Sequence, residues 1–355
     1  MSASTSPIKV LIADDSAFMR AALARMIASD QSLRVVGTAQ TGLEALEKIN
    51  QLQPDVVTLD IDMPGLNGLE TLKRVMSESP RPVIMVSSLT QKGAETTLDA
   101  LGLGAFDYIP KQLNYISLDI IKVQDELVSK IKAAAHSRMK APKATKKSRT
   151  QPTTAPPNAA QGAPSIIAIG TSTGGPKALQ EILPALPGNL PVGVLVVQHM
   201  PAGFTGPFAK RLDNLCQVAV HEVEQGMMVE PGHVYLAPAG KHMTVHRSAS
   251  EVFLQVSRTP SDTLHIPSVD VMMFSVAEVF HGLAMGIILT GMGADGALGM
   301  QAIFQAGGLT VGQDEATCAV YGMPRACAEM GVLKRVVTLA EIPQHILSAL
   351  GHQAG

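Results

Sequence analysis

"SIIAIGTSTGGPKALQEIL", residues 165–183, reads as a strand, a tight turn and a helix. Six residues from Ser165 to Gly170 are apolar or small, as in a strand buried on both faces of a parallel sheet. The turn is Gly170-Thr171-Ser172-Thr173-Gly174-Gly175, and Pro176 follows in a first helical turn, where its missing N–H costs nothing. Two chemistries fit such a turn. One is a loop that cradles phosphate, but there is no GxxxxGK[ST] and no GxGxxG, although Lys177 is near. The other is an elbow that lifts a serine nucleophile, since Gly170–Gly174 fits G-x-S-x-G between strand and helix. A plain glycine-rich turn explains this stretch alone equally well.

A serine nucleophile needs a base and an orienting carboxylate. "VGVLVVQHM", residues 192–200, puts His199 just past another buried strand, and His265, before "PSVD", is a weaker rival. "AMGIILTGMGADGALGM", residues 284–300, is a third buried strand whose glycine-rich turn carries Asp295. Asp295 could instead cap the helix over 296–305, and Asp270 is the runner-up orienter. Ser172, His199 and Asp295 all fall past the carboxyl ends of apolar strands, where open parallel sheets gather their functional groups.

The chain has 355 residues, enough for two domains. Twenty-eight Lys and Arg against 30 Asp and Glu leave no electrostatic case for a nucleic-acid partner. The apolar runs are too short to span a bilayer and the amino terminus does not read as a signal peptide, so a cytoplasmic protein, not membrane-inserted, is expected. The three cysteines have no metal-ligand spacing and read as packing residues. Residues 137–164 are rich in Pro, Thr, Ala and Lys and nearly free of bulky apolar side chains, the composition of a flexible linker. The expected division is a first domain over 1–136, this linker, and a second domain over 165–355.

Strands alternate with helices before the linker. "LIADDS", "DVVTLDIDMPGLNG", "VIMVSS" and "AFDYIPK" place Asp14 and Asp15, Asp60, Ser87 and Lys111 at successive strand ends. Three carboxylates at one edge repel unless a cation sits among them, and oxygen ligands alone suit Mg²⁺. This constellation resembles the receiver domain of response regulators. The resemblance implies a flavodoxin-like domain with Asp60 as phospho-acceptor, and Mg²⁺ held by Asp14, Asp15, Asp60 and the backbone carbonyl of Asp62. It also implies that Ser87 and Lys111 contact the phosphoryl group, and that a histidine kinase is the phosphodonor. Gln112 departs from the pattern, which has proline there.

"AIGTSTGG", "VVQHMPAGF", "GHVYLAPAGKHM", "PSVDVMM", "ILTGMGADGALGM" and "QDEATCAVYGMPRA" together resemble the catalytic domain of chemotaxis-specific protein-glutamate methylesterases. The buried strands after the linker already read as a Rossmann-like parallel sheet with a more β-rich stretch inserted around 217–257, and the resemblance makes this a hydrolase domain. The implied roles are nucleophile Ser172, base His199, orienter Asp295 and an oxyanion site from the backbone N–H groups of Thr173 and Met292. The implied substrates are glutamate methyl esters, and glutamine amides, of methyl-accepting chemotaxis receptors. Ile266 and Phe274 stand where relatives carry basic residues. A monomer without a cofactor for the esterase chemistry is expected. A non-catalytic phospho-switch would not need Ser172, His199 and Asp295 together, and a DNA-acting regulator lacks a helix-turn-helix signal.

Overall fold

The computed structural model describes residues 6–88, 90–111, 117–139, 162–249 and 251–351. In the first domain β1 (Ile8–Ala13), β2 (Leu33–Ala39), β3 (Val56–Asp60), β4 (Val83–Ser87) and β5 (Asp107–Pro110) form a parallel sheet in the order β2-β1-β3-β4-β5. Helices α1 (Ala17–Ala28), α2 (Gly42–Leu52), α3 (Gly68–Glu78), α4 (Gln91–Gly102) and α5 (Ser117–Met139) connect and follow these strands. The central strands are mostly apolar because helices cover both faces; every residue of β3, β4 and β5 is buried. Residues 137–139, the start of the stretch read as a linker, are the end of α5, and Gln112 lies outside the described residues.

In the second domain the elements run β6 (Ile166–Thr171), α6 (Gly175–Ile182), β7 (Gly193–Gln198), α7 (Thr205–Asp213), β8 (Ala219–Glu222), β9 (His233–Leu236), β10 (His242–Ser248), β11 (Glu251–Ser257), α8 (Val269–Phe280), β12 (Ala284–Ile288), α9 (Ala297–Gln305), β13 (Leu309–Gln313), α10 (Met323–Glu329), β14 (Arg335–Val337) and α11 (Ile342–Ala349). Seven strands form one parallel sheet, β14-β13-β12-β6-β7-β9-β8. The β-rich stretch thus divides. β8 and β9 extend the main sheet in parallel, and only β10 and β11 stand apart, as an antiparallel hairpin packed on α8.

The two domains touch. The Tyr108 ring of β5 stacks on Phe204, just before α7, with centroids 5.0 Å apart, and one apolar cluster runs through both. Beside it Arg211 of α7 reaches Asp99 of α4 at 2.5 Å and the side chain of Gln180 at 2.9 Å. Among the described residues no helix is long and apolar enough to cross a membrane.

Candidate active site and phospho-acceptor site

β6 lies between β12 and β7, so the turns that follow these three strands meet. Thr171 pairs with Gln198 in register, which sets the next residues, Ser172 and His199, side by side at the spacing of neighbouring strands, about 4.8 Å. The His199 N–H donates to Thr171 O and the Ser172 N–H to Thr290 O, each at 3.1 Å. Glycines permit this crowding. A Cβ on Gly170 would come within 2.2 Å of Val269, and one on Gly291 within 2.9 Å of the Ser172 Cβ. Gly174 takes φ of +77° as the chain turns into α6, a region open to glycine at little cost.

His199 Nε2 lies 2.8 Å from Asp295 Oδ2. Asp295 does not cap α9, whose N-cap Gly296 makes no side-chain bond. It sits instead on the amino terminus of α8. Its Oδ1 accepts from Ser268 Oγ at 2.8 Å and Asp270 N at 3.1 Å, and its Oδ2 accepts from Val269 N at 2.7 Å. Burial alone would raise its pKa, but the His199 bond and these N–H groups outweigh burial and hold the carboxyl well below the usual carboxylate range. Asp270 serves the start of α9. Its Oδ1 accepts from Gly299 N at 2.7 Å, and burial, with Asp295 beside it, raises its pKa. The geometry therefore favours Asp295 over Asp270 as the carboxylate that holds His199.

With Nε2 engaged by Asp295, the free nitrogen of His199 is Nδ1, which is buried and without a hydrogen-bond partner among the described residues. The backbone N–H groups of Thr173 and Met292 are also without partners among the described residues.

The ring of His265, the weaker rival, stacks on His199 with centroids 4.1 Å apart. Burial first, then the neighbouring His199, lowers its pKa to about 4. The unfolded chain takes up a proton at His265 below about pH 6.5 while the folded protein refuses it, so stability falls as pH drops from 6.5 to 4. His265→Phe, which keeps the stacking, is expected to recover about 1–2 kcal/mol at pH 5 relative to pH 7. Urea unfolding of both proteins at the two pH values measures it; parallel pH dependence would refute it.

In the first domain Asp14 and Asp60 are buried and Asp15 is exposed, and one carboxylate oxygen from each lies within 4.8 Å of the others. Lys111 Nζ bridges Asp60 Oδ1 at 2.7 Å and Asp14 Oδ2 at 3.4 Å. The Asp62 N–H donates to Asp60 Oδ1 at 3.2 Å. Burial, only partly offset by Lys111, pushes the Asp60 pKa up to about 6. Asp60 Oδ2 and Asp14 Oδ2 are buried without a hydrogen bond. A partnerless Asp60 oxygen, an Asp14 oxygen met only by the Lys111 ammonium at 3.4 Å and a third acid beside them fit a hard divalent cation such as Mg²⁺. Ser87 Oγ faces α4 instead, receiving the Thr97 hydroxyl at 2.6 Å and donating to Gly93 O at 3.3 Å.

These two sheets, one with an acid cluster at its carboxyl edge and one with Ser172 and the His199–Asp295 pair at its strand ends, have the architecture of a response-regulator receiver joined to a parallel-sheet hydrolase domain. Family models agree: residues 10–120 match the response regulator receiver domain and residues 167–346 match CheB methylesterase. The chain belongs to the CheB methylesterase family. It is similar to protein-glutamate methylesterase/protein-glutamine glutaminase 1 of Oleidesulfovibrio alaskensis, 45% identical over 97% of this chain and 99% of that protein. The protein of the same name from Geobacter sulfurreducens is 44% identical over 96% and 97%. The CheB methylesterase catalytic domain of Thermotoga maritima matches 53% of this chain and 99% of its own, with 37% identity and a TM-score of 0.51.

Proposed function

We propose that the chain hydrolyses methyl esters of glutamate side chains on chemoreceptors, releasing methanol, and deamidates receptor glutamines at the same site. The observation that carries this reading is the Asp295–His199 pair, with His199 Nδ1 buried and without a hydrogen-bond partner among the described residues, on the strand end next to that of Ser172. Ser172 Oγ attacks the ester carbonyl while His199 Nδ1 takes its proton. The N–H groups of Thr173 and Met292 receive the oxyanion. His199 then returns the proton to the leaving methoxide, and water, deprotonated by the same nitrogen, cleaves the acyl-serine to release glutamate. For a glutamine side chain the leaving group is ammonia. Methanol release from methylated receptor membranes tests the reading; no release above background from the phosphorylated protein would refute it.

The first domain, over 1–136, acts as a switch on this site through the stretch 137–164. Asp60 is the acceptor, with Mg²⁺ held by Asp14, Asp15, Asp60 and the Asp62 carbonyl to neutralise charge as phosphate approaches. A chemotaxis histidine kinase supplies the phosphoryl group. A cleft of about 610 Å³ separates Phe106 and Asp107 of the first domain from Gly174, Pro176 and Lys177, which follow Ser172. The first domain thus overhangs the approach of a helical receptor. Ser87 is tied to Gly93 and Thr97 of α4, and the same helix carries Asp99, the partner of Arg211. A phosphoryl group at Asp60, paired with Lys111, would draw the Ser87 hydroxyl off α4 and loosen that contact.

Coupling of 1–3 kcal/mol is usual for such switches, so phosphorylation is expected to activate the full chain about 5–150-fold. Asp60→Asn should hold it in the low state when a phosphodonor is added. Arg211→Ala, and a fragment starting near Ala163, should raise the unphosphorylated rate. A fragment slower than the intact, unphosphorylated chain would mean that the first domain helps to build the site.

A further inference from the structure

Gln198 takes no part in the chemistry above, yet its side chain lies at the centre of it. It is the last residue of β7, is 2% exposed, and pairs in register with Thr171. Its amide nitrogen donates to two carbonyls at once, Ser172 O at 3.0 Å and His199 O at 2.9 Å. The reverse orientation of the amide would set Oε1 against both oxygens with no proton between them, so the nitrogen faces the carbonyls. Oε1 is left buried and without a hydrogen bond, over Gly175, where a Cβ would come within 2.0 Å of it. A buried acceptor without a partner is costly. A position that only needed filling would be better served by leucine or methionine.

The Ser172 carbonyl also accepts the Gly175 N–H at 2.8 Å, so two donors hold it. That carbonyl belongs to the peptide unit whose N–H is Thr173's. A trans peptide is planar, with C=O and N–H pointing in opposite directions, so holding the oxygen sets where the Thr173 N–H points. This N–H has no acceptor among the described residues.

We propose that Gln198 is a positioning residue for the hydrolysis: its amide holds the Ser172–Thr173 peptide so that the Thr173 N–H meets the developing oxyanion, and ties that peptide to the backbone of His199. The inference rests on Ser172 and the Thr173 N–H acting as proposed above. An interaction that strengthens only as the oxyanion forms raises kcat and leaves substrate binding alone. Loss of the aim of one donor should therefore appear in kcat.

The test is Gln198→Met in the full-length, phosphorylated protein, a side chain of similar length without a donor. Methanol release gives kcat and KM. Inhibition by phenylboronic acid, whose adduct with a serine hydroxyl is tetrahedral and anionic, gives affinity for a transition-state mimic. The expected result is a kcat about 10–100-fold lower, KM within twofold, and boronate affinity reduced in step with kcat. Wild-type kcat and boronate affinity would overturn the proposal. So would a loss confined to KM, or one that vanishes when rates are normalised to titrated active sites. Should the methionine variant not fold, Gln198→Leu, an uncharged side chain without a donor, must show the same loss in kcat. Ser172→Ala is measured alongside. If it keeps the wild-type rate, the proposed active site itself is overturned. If it is inactive while Gln198→Met is unimpaired, only the role of Gln198 is.

Discussion

Ser172→Ala is expected to lower kcat for methanol release by about 10⁴–10⁶ while the protein stays folded. The size follows from the chemistry. Without the hydroxyl no acyl-serine forms, and the remaining route is direct attack by water, aided only by the N–H groups of Thr173 and Met292 and the held substrate. The folded state should not suffer, because the Ser172 side chain is only half-buried and makes no hydrogen bond among the described residues. What holds the turn is its backbone: Ser172 N–H to Thr290 O, Gly175 N–H to Ser172 O and the amide of Gln198. Alanine keeps all three. His199→Ala should lose a similar factor, since the hydroxyl is a poor nucleophile with its proton in place. Thermal unfolding and methanol release on the same samples check both. An alanine variant with wild-type release would refute Ser172 as nucleophile.

Ser172 and His199 were legible as neighbours because each follows a run of buried strand, and adjacent parallel strands end together. Asp295 was half legible. Its place after a third apolar strand, β12, was clear, but a helix N-cap explained it as well. Only the fold brings Ser268 and Val269, 27 and 26 residues away, onto its oxygens, and shows it seated on α8 rather than α9. Gln198 gave no signal, since a polar residue at a strand end is ordinary until its partners are known. β13 and β14 were not read as strands: "LTVGQ" carries a glycine and "RVV" is three residues long. β8 and β9 were read as part of an insertion because each is only four residues long, and β8, at the sheet edge, is mostly half-buried, so neither reads as a core strand of a parallel sheet. The contact of Tyr108 with Phe204 joins residues far apart in the chain, and no local pattern announces it.

Asp295→Asn is expected to lower kcat by about 10²–10⁴, at most as much as His199→Ala. Four groups approach the carboxylate: His199 Nε2 and Val269 N on Oδ2, and Ser268 Oγ and Asp270 N on Oδ1. An asparagine must put its NH₂ on one side. If it replaces Oδ2, it opposes the Val269 N–H and forces His199 to accept at Nε2. The ring proton then moves to Nδ1, the nitrogen that must take the Ser172 proton, and the base is lost; a tautomer error of this kind costs about 10⁴ in serine proteases. If it replaces Oδ1, it opposes the Asp270 N–H, while Ser268 can turn to accept. The tautomer survives, but the negative charge that stabilises the imidazolium is gone, the milder end of the range. Asp270→Asn touches neither nitrogen of His199 and keeps an oxygen for the Gly299 N–H, so its loss should stay within about tenfold. Methanol release by the two variants under the same phosphodonor separates the carboxylates. A damaged Asp270→Asn beside an unimpaired Asp295→Asn would transfer the orienting role to Asp270, even though Asp295 is the acid that His199 Nε2 meets at 2.8 Å.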